Sequence, residues 1–248
     1  MRTPSRRWRP VAIGALLVAT GCGWALLPAF RWGGVAPARS VRSLPALGGM
    51  LTVPKGGTIL CQGDSLTYGA ERWGGALPPI NGGGSWRVAT PFPETLATLL
   101  GGKVAVRNHG YPGDTVVSGS TRWAGTGPVD LVVVMYGSND ANPRGWRTAV
   151  PMDQYRAALR GIVRRYRAGG AQVLVLAPPP AGTRHAEAAI APYRQAARAV
   201  AMREGVAFAD PAAFLAGLRV PLQWDGLHLR GAATARIAQG IARRIQVL

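Results

Sequence analysis

The residue that first suggests chemistry is a serine directly after a predicted strand. Residues 63–69 read Gly-Asp-Ser-Leu-Thr-Tyr-Gly and follow the short apolar run 58–62. A serine on the turn that leaves a strand exposes its hydroxyl at the sheet edge, and glycines on either side permit a tight backbone. Because an isolated hydroxyl is a weak nucleophile, Ser65 needs a base. An Asp-Ser pair also caps helices well, so this motif alone fits either role.

A second motif supplies a base. Residues 225–229 read Asp-Gly-Leu-His-Leu and precede the last predicted helix. On a tight loop, this spacing lets Asp225 accept a hydrogen bond from one ring nitrogen of His228 while the other nitrogen faces outward. The chain has 3 histidines, so His109 and His185 are rival bases. His185 lacks an aspartate at the same spacing, and His109 lies inside another motif, so His228 is preferred.

Two further polar motifs follow predicted strands. Residues 108–115 read Asn-His-Gly-Tyr-Pro-Gly-Asp-Thr, and residues 137–140 read Gly-Ser-Asn-Asp. Each alone fits an ordinary Gly/Pro or Asx turn, but Asn139 is also placed to point its amide into a cleft. Four such motifs, most of them directly after strands, indicate one shared site. We expect Asp64 to have a structural or orienting role, and Asp140 to orient the loop that carries Asn139.

Strands and helices alternate along the chain. Predicted strands at 58–62, 104–107, 129–136, 172–177 and 206–209 are interleaved with predicted helices at 94–100, 152–168, 186–204 and 231–247. The continuous apolar, β-branched run at 129–136 is the strongest signal for a buried strand. The alternation predicts βαβ units, a parallel sheet and helices on both faces. Functional residues then lie on loops at the carboxyl ends of the strands, and residues 72–92, rich in Gly, Pro and Trp, predict a long loop over them.

With these motifs in this order, the chain resembles the SGNH/GDSL hydrolase family, whose name refers to its Ser, Gly, Asn and His blocks. The resemblance covers most of residues 58–248. Gly-Asp-Ser-Leu at 63–66 and Asp-Gly-Leu-His at 225–228 are its most specific parts, and Gly-Ser-Asn-Asp at 137–140 supports them. The resemblance implies an α/β fold, a three-layer α/β/α sandwich with a parallel, flavodoxin-like sheet.

The resemblance also implies a role for each site residue. Ser65 resembles the nucleophile, His228 the general base and Asp225 its partner. The backbone N–H groups of Ser65 and Gly110, with the Asn139 side chain, resemble the oxyanion hole. No metal and no organic cofactor are implied. The expected activity is therefore the hydrolysis of a carboxylic ester through an acyl-enzyme.

The substrate stays open at this level. The first expectation is an O-acetyl group on a carbohydrate or exopolysaccharide; the Trp side chains at 73, 86 and 123 either stack on sugar rings or pack in the core. A lipase-like lysophospholipase or thioesterase is the alternative enzyme. A non-catalytic polysaccharide-binding or assembly component is an alternative outside enzymology. A metal-dependent phosphoesterase fits poorly, because the chain has only 3 histidines.

The net charge of +18 comes mostly from arginine. Such a charge suits nucleic acid, an anionic membrane surface or an acidic polymer, but the arginines are scattered and no nucleic-acid motif occurs. The densest group, at 160–167, falls within one helical pattern and is typical of a solvated face. We therefore expect no nucleic-acid partner. The oligomeric state is not determined by these patterns.

The N-terminal region is typical of an export signal. Arginines between positions 2 and 9 precede residues 11–30, which contain no charged residue and are long enough to span a bilayer as a helix. An uncleaved membrane anchor, a cleaved signal with Ala-Pro-Ala at 36–38, and a lipoprotein signal ending at Cys22 are the alternatives. All of them place residues 58–248 on the periplasmic or cell-surface side. Residues 31–57 are expected to be a linker.

Overall fold

The computed structural model describes residues 41–71, 86–122 and 127–248. All of them belong to the compact unit Trp32–Leu248. The export signal predicted over residues 1–30 lies outside the described residues, as do the first part of the linker and the Trp residues at 73 and 123. Within the described ranges, the helices are too short or too polar to cross a membrane.

The elements follow one another in the alternating order that the sequence predicts. The strands are β1 (Leu51–Val53), β2 (Thr58–Gly63), β3 (Ala70–Glu71), β4 (Trp86–Arg87), β5 (Ala105–Gly110), β6 (Leu131–Met135), β7 (Gln172–Leu176), β8 (Ala207–Ala209) and β9 (Ile245–Val247). The helices are α1 (Ser65–Tyr68), α2 (Phe92–Leu99), α3 (Val116–Gly119), α4 (Met152–Ala168), α5 (Arg184–Glu204), α6 (Pro211–Leu215) and α7 (Gly231–Ala242). The prediction for α4 is confirmed at both ends.

The central sheet has the strand order β5-β2-β6-β7-β8, and all neighbouring strands in it are parallel. From β2 the chain passes first to one side, to β5, and then to the other side, to β6. This is the flavodoxin-like order, so the predicted fold class is confirmed. In such sheets, ligands bind beyond the carboxyl ends of the strands at the point where the order reverses. That point lies at the end of β2.

Alternating side chains of the sheet build two cores, one on each face. Ile59 and Cys61 of β2 face the core that contains α2 and α7, whereas Leu60 faces the core that contains α4 and α5. Successive side chains of a strand point to opposite faces, so a strand covered on both sides is apolar throughout. All of β6 is buried, which explains why its residues give the strongest strand signal.

Two segments whose secondary structure is predicted incorrectly from the sequence form strands that pair with each other. The predicted helix 231–247 ends early, and Ile245–Val247 instead forms β9, parallel to β1. Since β1 lies inside the predicted linker 31–57, the linker prediction is wrong for these residues. Leu47 also belongs to the folded domain, because it exchanges backbone hydrogen bonds of 3.0 and 3.2 Å with Phe208. These pairings join segments that are distant in sequence, so local sequence patterns do not predict them.

Strands β2, β5 and β6 end at the same level. Gly63, the last residue of β2, pairs with Gly110 of β5 and with Met135 of β6. The motifs that follow these strands therefore leave the sheet side by side. This register brings Ser65 and Asn139 to one edge.

Candidate active site

Ser65 is the first residue of α1, directly beyond β2. The Asp64 side chain caps this short helix by accepting the N–H of Leu66 at 2.8 Å. Gly69 ends it in the left-handed conformation, with φ of 84°, which glycine adopts without a steric penalty. The chain thus turns sharply at the end of the sheet, and Ser65 lines the pocket that lies there.

His228 connects Ser65 to Asp225. Its Nε2 lies 3.1 Å from Oγ of Ser65, and its Nδ1 lies 2.6 Å from Oδ2 of Asp225. The other carboxylate oxygen, Oδ1, accepts the backbone N–H groups of Leu227 and His228, each at 3.0 Å. An ionised carboxylate only accepts, so Nδ1 is the donor in this pair and Nε2 is left to accept the serine proton.

The loop that carries the histidine is tied to the segment that carries the serine. The backbone of Gln223 donates its N–H to the carbonyl of His228 at 2.7 Å. The Gln223 side chain donates to the carbonyls of Leu229 and Ala70, at 2.9 and 3.1 Å. Ala70 begins β3, just after α1, so one buried amide links the two halves of the site.

Asp225 is held as a carboxylate. Burial by itself favours the neutral acid. The hydrogen bond and charge of His228, with the N–H groups of Leu227 and His228, outweigh burial and hold the pKa of Asp225 far below its ordinary value. A cation also reaches it, because Nη2 of Arg144 lies 2.7 Å from Oδ2. Together these partners compensate for the burial of a charge.

Asn139 lines the same pocket as Ser65. Its Nδ2 donates one hydrogen to the carbonyl of Asp114 at 2.9 Å, which fixes the amide and leaves its second hydrogen for another acceptor. Asp140 accepts the backbone N–H of Val116 at 3.0 Å. This bond joins the loop after β6 to the start of α3, so Asp140 holds the Asn139 loop in place.

The structure places Gly110, the expected oxyanion donor, away from the described wall of the pocket. Its N–H donates to Oδ1 of Asn108 at 2.9 Å, and it is not among the described residues that line the pocket. A Cβ at Gly110 would lie 2.1 Å from the backbone nitrogen of Tyr68, so glycine is required here for close packing of β5 against α1. Gly113 lines the pocket instead. Across the described ranges, its N–H and that of Ser65 donate to no protein acceptor.

The sequence motif contained Gly113 but did not single it out. Residues 108–115 include glycines at both positions, and sequence spacing gives no rule for which N–H faces a cleft. Gly113 has a φ of 86°, in the region that favours glycine. The position at which β5 ends, and the turn that follows it, decide which of the two glycines lines the pocket.

The pocket around Ser65 has a volume of about 240 Å³. Its wall combines apolar and charged groups, namely Ala70, Glu71, Pro112, Gly113, Asn139, Asn142, Pro143, Arg144, Trp146, Arg147, Leu227 and His228. Trp146, which the sequence did not single out, is 71% exposed. Trp86 lies on β4 and is not among the described wall residues, so Trp146 is the tryptophan that the described structure places at this pocket.

The rival histidines lie elsewhere. His185 is exposed at the start of α5, and His109 packs edge-on against Tyr111 with ring centroids 6.3 Å apart. Burial, followed by the charge of Arg107, lowers the pKa of His109. Among the residues that the structure describes, no three His, Cys, Asp or Glu side chains are grouped as a metal ion requires.

A comparison with known protein families identifies a matching family model. A family model described as the GDSL-like Lipase/Acylhydrolase family matches residues 61–236. This range includes every residue of the pocket described above. No curated protein matches the chain in sequence.

Solved structures of hydrolytic enzymes share the fold. Axe2, an acetylxylan esterase from Geobacillus stearothermophilus, is 22% identical with a TM-score of 0.62, over 77% of this chain and 95% of that chain. A putative arylesterase from Agrobacterium tumefaciens is 27% identical with a TM-score of 0.55, over 75% and 97% of the two chains. LAE5, an alpha/beta hydrolase enzyme from the metagenome of Lake Arreo, is 23% identical with a TM-score of 0.62, over 77% and 95%. These likenesses agree with the fold that the strand order indicates.

Proposed function

Because the chain belongs to the GDSL-like lipase/acylhydrolase family and is a carboxylic ester hydrolase, we propose that Ser65, His228 and Asp225 are its catalytic triad. One observation carries this proposal. The contact is continuous from Oδ2 of Asp225 through the imidazole to Oγ of Ser65, at 2.6 and 3.1 Å. An activated serine requires this arrangement, with a base within reach and a carboxylate that orients the base.

In the proposed reaction, Nε2 of His228 takes the proton of Ser65 as Oγ attacks the ester carbonyl carbon. The oxyanion of the tetrahedral intermediate accepts hydrogen bonds from the N–H groups of Ser65 and Gly113 and from Nδ2 of Asn139. As the C–O bond breaks, His228 donates its proton to the leaving alcohol, and Ser65 stays acylated. Water, deprotonated by the same nitrogen, then releases the acid and restores the serine. Asp225 remains ionised throughout.

We propose an O-acetylated carbohydrate as the substrate class. The volume of about 240 Å³ is below the roughly 300–1,000 Å³ of sites for drug-sized ligands. Glu71, Arg144 and Arg147 belong to its wall, and a long alkyl chain would desolvate those charges. Trp146, 71% exposed at the rim, offers an aromatic face to a sugar ring. The acetylxylan esterase activity named for Axe2, a structure of the same fold, is in line with this substrate class.

Labelling tests the nucleophile. A fluorophosphonate probe followed by mass spectrometry is expected to modify Ser65 in the wild type and to leave the Ser65→Ala protein unmodified. Ser120→Ala is the matched control, because Ser120 caps α3 and bonds to the carbonyl of Val117 at 2.7 Å. Probe attached to another residue in the wild type, with hydrolysis retained by Ser65→Ala, would contradict the proposed triad.

A chain-length series tests the substrate class. With p-nitrophenyl esters, we expect kcat/KM for acetate to exceed that for octanoate by at least about tenfold, since added methylenes find no apolar pocket. Trp146→Ala is expected to raise KM for an acetylated xylooligosaccharide and to leave KM for p-nitrophenyl acetate nearly unchanged. A preference for acyl chains beyond about eight carbons would favour the lipase-like alternative instead.

We also propose that the domain acts outside the cytoplasm. The support is the charge pattern at positions 2–30, where arginines precede a run without charged residues, as in export signals. Alkaline phosphatase fused after residue 57 tests this, since that reporter needs disulfide bonds that form outside the cytoplasm. An inactive but stable fusion would contradict the proposed location.

A further inference from the structure

Oδ2 of Asp225 has a second partner besides the histidine ring. Nδ1 of His228 lies 2.6 Å from it and Nη2 of Arg144 lies 2.7 Å from it. The Asp225 side chain is only 2% exposed, and that of Arg144 is 20% exposed. Among the described residues, this Nη2 has no acceptor aligned with its N–H, so the contact acts mainly through charge. Resting on the proposed function, we infer that Arg144 is a positioning residue of the triad that sets how strongly Asp225 holds the protonated imidazole.

The turn at 142–147 is built to present this arginine. Asn142, with φ of 44°, is the one non-glycine residue with positive φ in the described part of the chain, and asparagine tolerates that conformation better than most residues. Its Oδ1 accepts the N–H of Trp146 at 3.0 Å, and its Nδ2 donates to the carbonyl of Arg147. One side chain therefore closes the turn on which Arg144 lies.

The same turn contacts other parts of the proposed site. The Trp146 ring lies against the Arg144 guanidinium, with 4.9 Å from Cζ to the ring centroid, which is a cation–π distance. Nη1 of Arg147 donates to the carbonyl of Gly113 at 3.0 Å. The turn also follows Asn139 closely in sequence. It therefore spans the site from the triad carboxylate to the segments that carry the oxyanion donors.

A permanent cation on the carboxylate has a defined chemical consequence. When the Asp225 carboxylate contacts the positive charge of Arg144 as well as the ring of His228, it stabilises the positively charged imidazolium less than it would alone. The reason is that the Arg144 guanidinium already offsets part of the carboxylate charge. Removal of that cation is therefore expected to strengthen the interaction between Asp225 and the protonated ring, which the pH dependence of activity reports. Among the described residues, the other charged side chains on the pocket wall are Glu71 and Arg147, and the charge of Arg230 acts on Glu71. These groups are unchanged in an Arg144 variant, so a difference reports Arg144 itself.

The test is the pH dependence of p-nitrophenyl acetate hydrolysis by the full chain. Arg144→Met approximately keeps the side-chain length and removes the charge. In this variant we expect the acid limb of the kcat/KM profile to move to higher pH by about 0.5 to 1 pH unit. At the plateau, kcat is expected to fall roughly tenfold while KM changes less than about threefold, because the carboxylate is held less firmly. Arg144→Lys is expected to return the acid limb to its wild-type position, since a point charge is sufficient.

A charge control and a second neutral variant make the result decisive. Arg203→Met removes the same charge from the last turn of α5, which precedes β8 and so lies at the amino ends of the strands, away from Ser65; its profile is expected to match the wild type. Should Arg144→Met not fold, Arg144→Gln provides the same comparison. An acid limb that stays in place in the neutral variant, or that moves equally in Arg144→Lys, would overturn the inference. Neither outcome bears on labelling of Ser65, which tests the triad separately.

Discussion

Nε2 of His228 lies 3.1 Å from Oγ of Ser65, although 163 positions separate the two residues in the chain. The contact depends on two loops held together by the buried Gln223 side chain, which bonds to the carbonyl of Ala70 beside α1. Because each loop is fixed by a few identified hydrogen bonds, single substitutions can separate chemistry from folding.

Asp225→Asn is expected to preserve the shape of the site and remove its chemistry. An asparagine amide can donate to Nδ1 and so select the tautomer whose Nε2 already carries a proton. By analogy with serine-protease triads, kcat is expected to fall by roughly 10³- to 10⁴-fold. Asp153→Asn, an exposed acid in the first turn of α4, is the matched control in the same steady-state assay. An Asp225→Asn enzyme with more than about a tenth of the wild-type kcat would argue against a triad partner.

Asn139→Ala removes one of the proposed oxyanion donors. We expect kcat to fall roughly 100- to 1000-fold with little change in KM, because the lost bond acts mainly in the transition state. Asn139→Asp is a more stringent test, because aspartate is similar in size to asparagine but places a negative charge next to the developing oxyanion. It is expected to be less active than Asn139→Ala. Equal activity of Asn139→Asp and the wild type would remove Asn139 from the proposed mechanism.

Alanine at Gly110 and at Gly113 should affect different properties. At Gly110 a Cβ would meet the Tyr68 backbone at 2.1 Å, so we expect unfolding free energy to fall by about 3 kcal/mol or more. At Gly113 the nearest atom is 3.8 Å away, in Arg147, but φ is 86°. The strained backbone there is expected to cost about 1 kcal/mol and to misdirect the N–H, lowering kcat. Urea unfolding and kcat measured on both variants check this, and an unchanged kcat in Gly113→Ala would contradict the donor assignment.

Because of two buried carboxyl groups, we expect the free energy of unfolding to be larger at mildly acidic pH than at alkaline pH. Burial, the largest cause, raises the pKa of Asp64 to about 8 and that of Asp140 to about 7. In the unfolded chain both titrate near about pH 4. Between these values the folded state binds more protons, so this contribution is complete below about pH 4 and is lost as pH rises through 7 to 8.

Urea unfolding of the wild type and Asp64→Asn at pH 5 and pH 8 measures this effect. The wild type is expected to lose on the order of a few kcal/mol between these conditions, and the variant less. Asparagine cannot ionise but still accepts the N–H of Leu66 as a helix cap. His109, whose pKa is lowered by burial, acts in the opposite direction but is present in both proteins. An identical pH dependence for the two proteins would show that Asp64 does not titrate in this range.

The central fold and the chemistry of the side chains could be predicted from local sequence. The strand at 131–135 can be predicted because it is buried on both faces and is therefore apolar throughout. The helix at 152–168 can be predicted because its buried residues recur with the helical period along one face. The serine after β2 and the Asp-His spacing at 225–228 likewise fix which groups can supply a hydroxyl, a base and a carboxylate. The order and type of the elements then follow.

Only tertiary structure decided which groups meet. The pairing of β1 with β9 turned a predicted linker and a predicted helix end into strands, since a strand that short needs a partner that local sequence does not specify. Gly113 and not Gly110 lines the described pocket, and this depends on the level at which β5 ends. The position of Arg144 on Asp225 depends on the turn that Asn142 closes. A local pattern records how each segment is buried; contacts between segments depend on register and loop direction, which the whole fold sets.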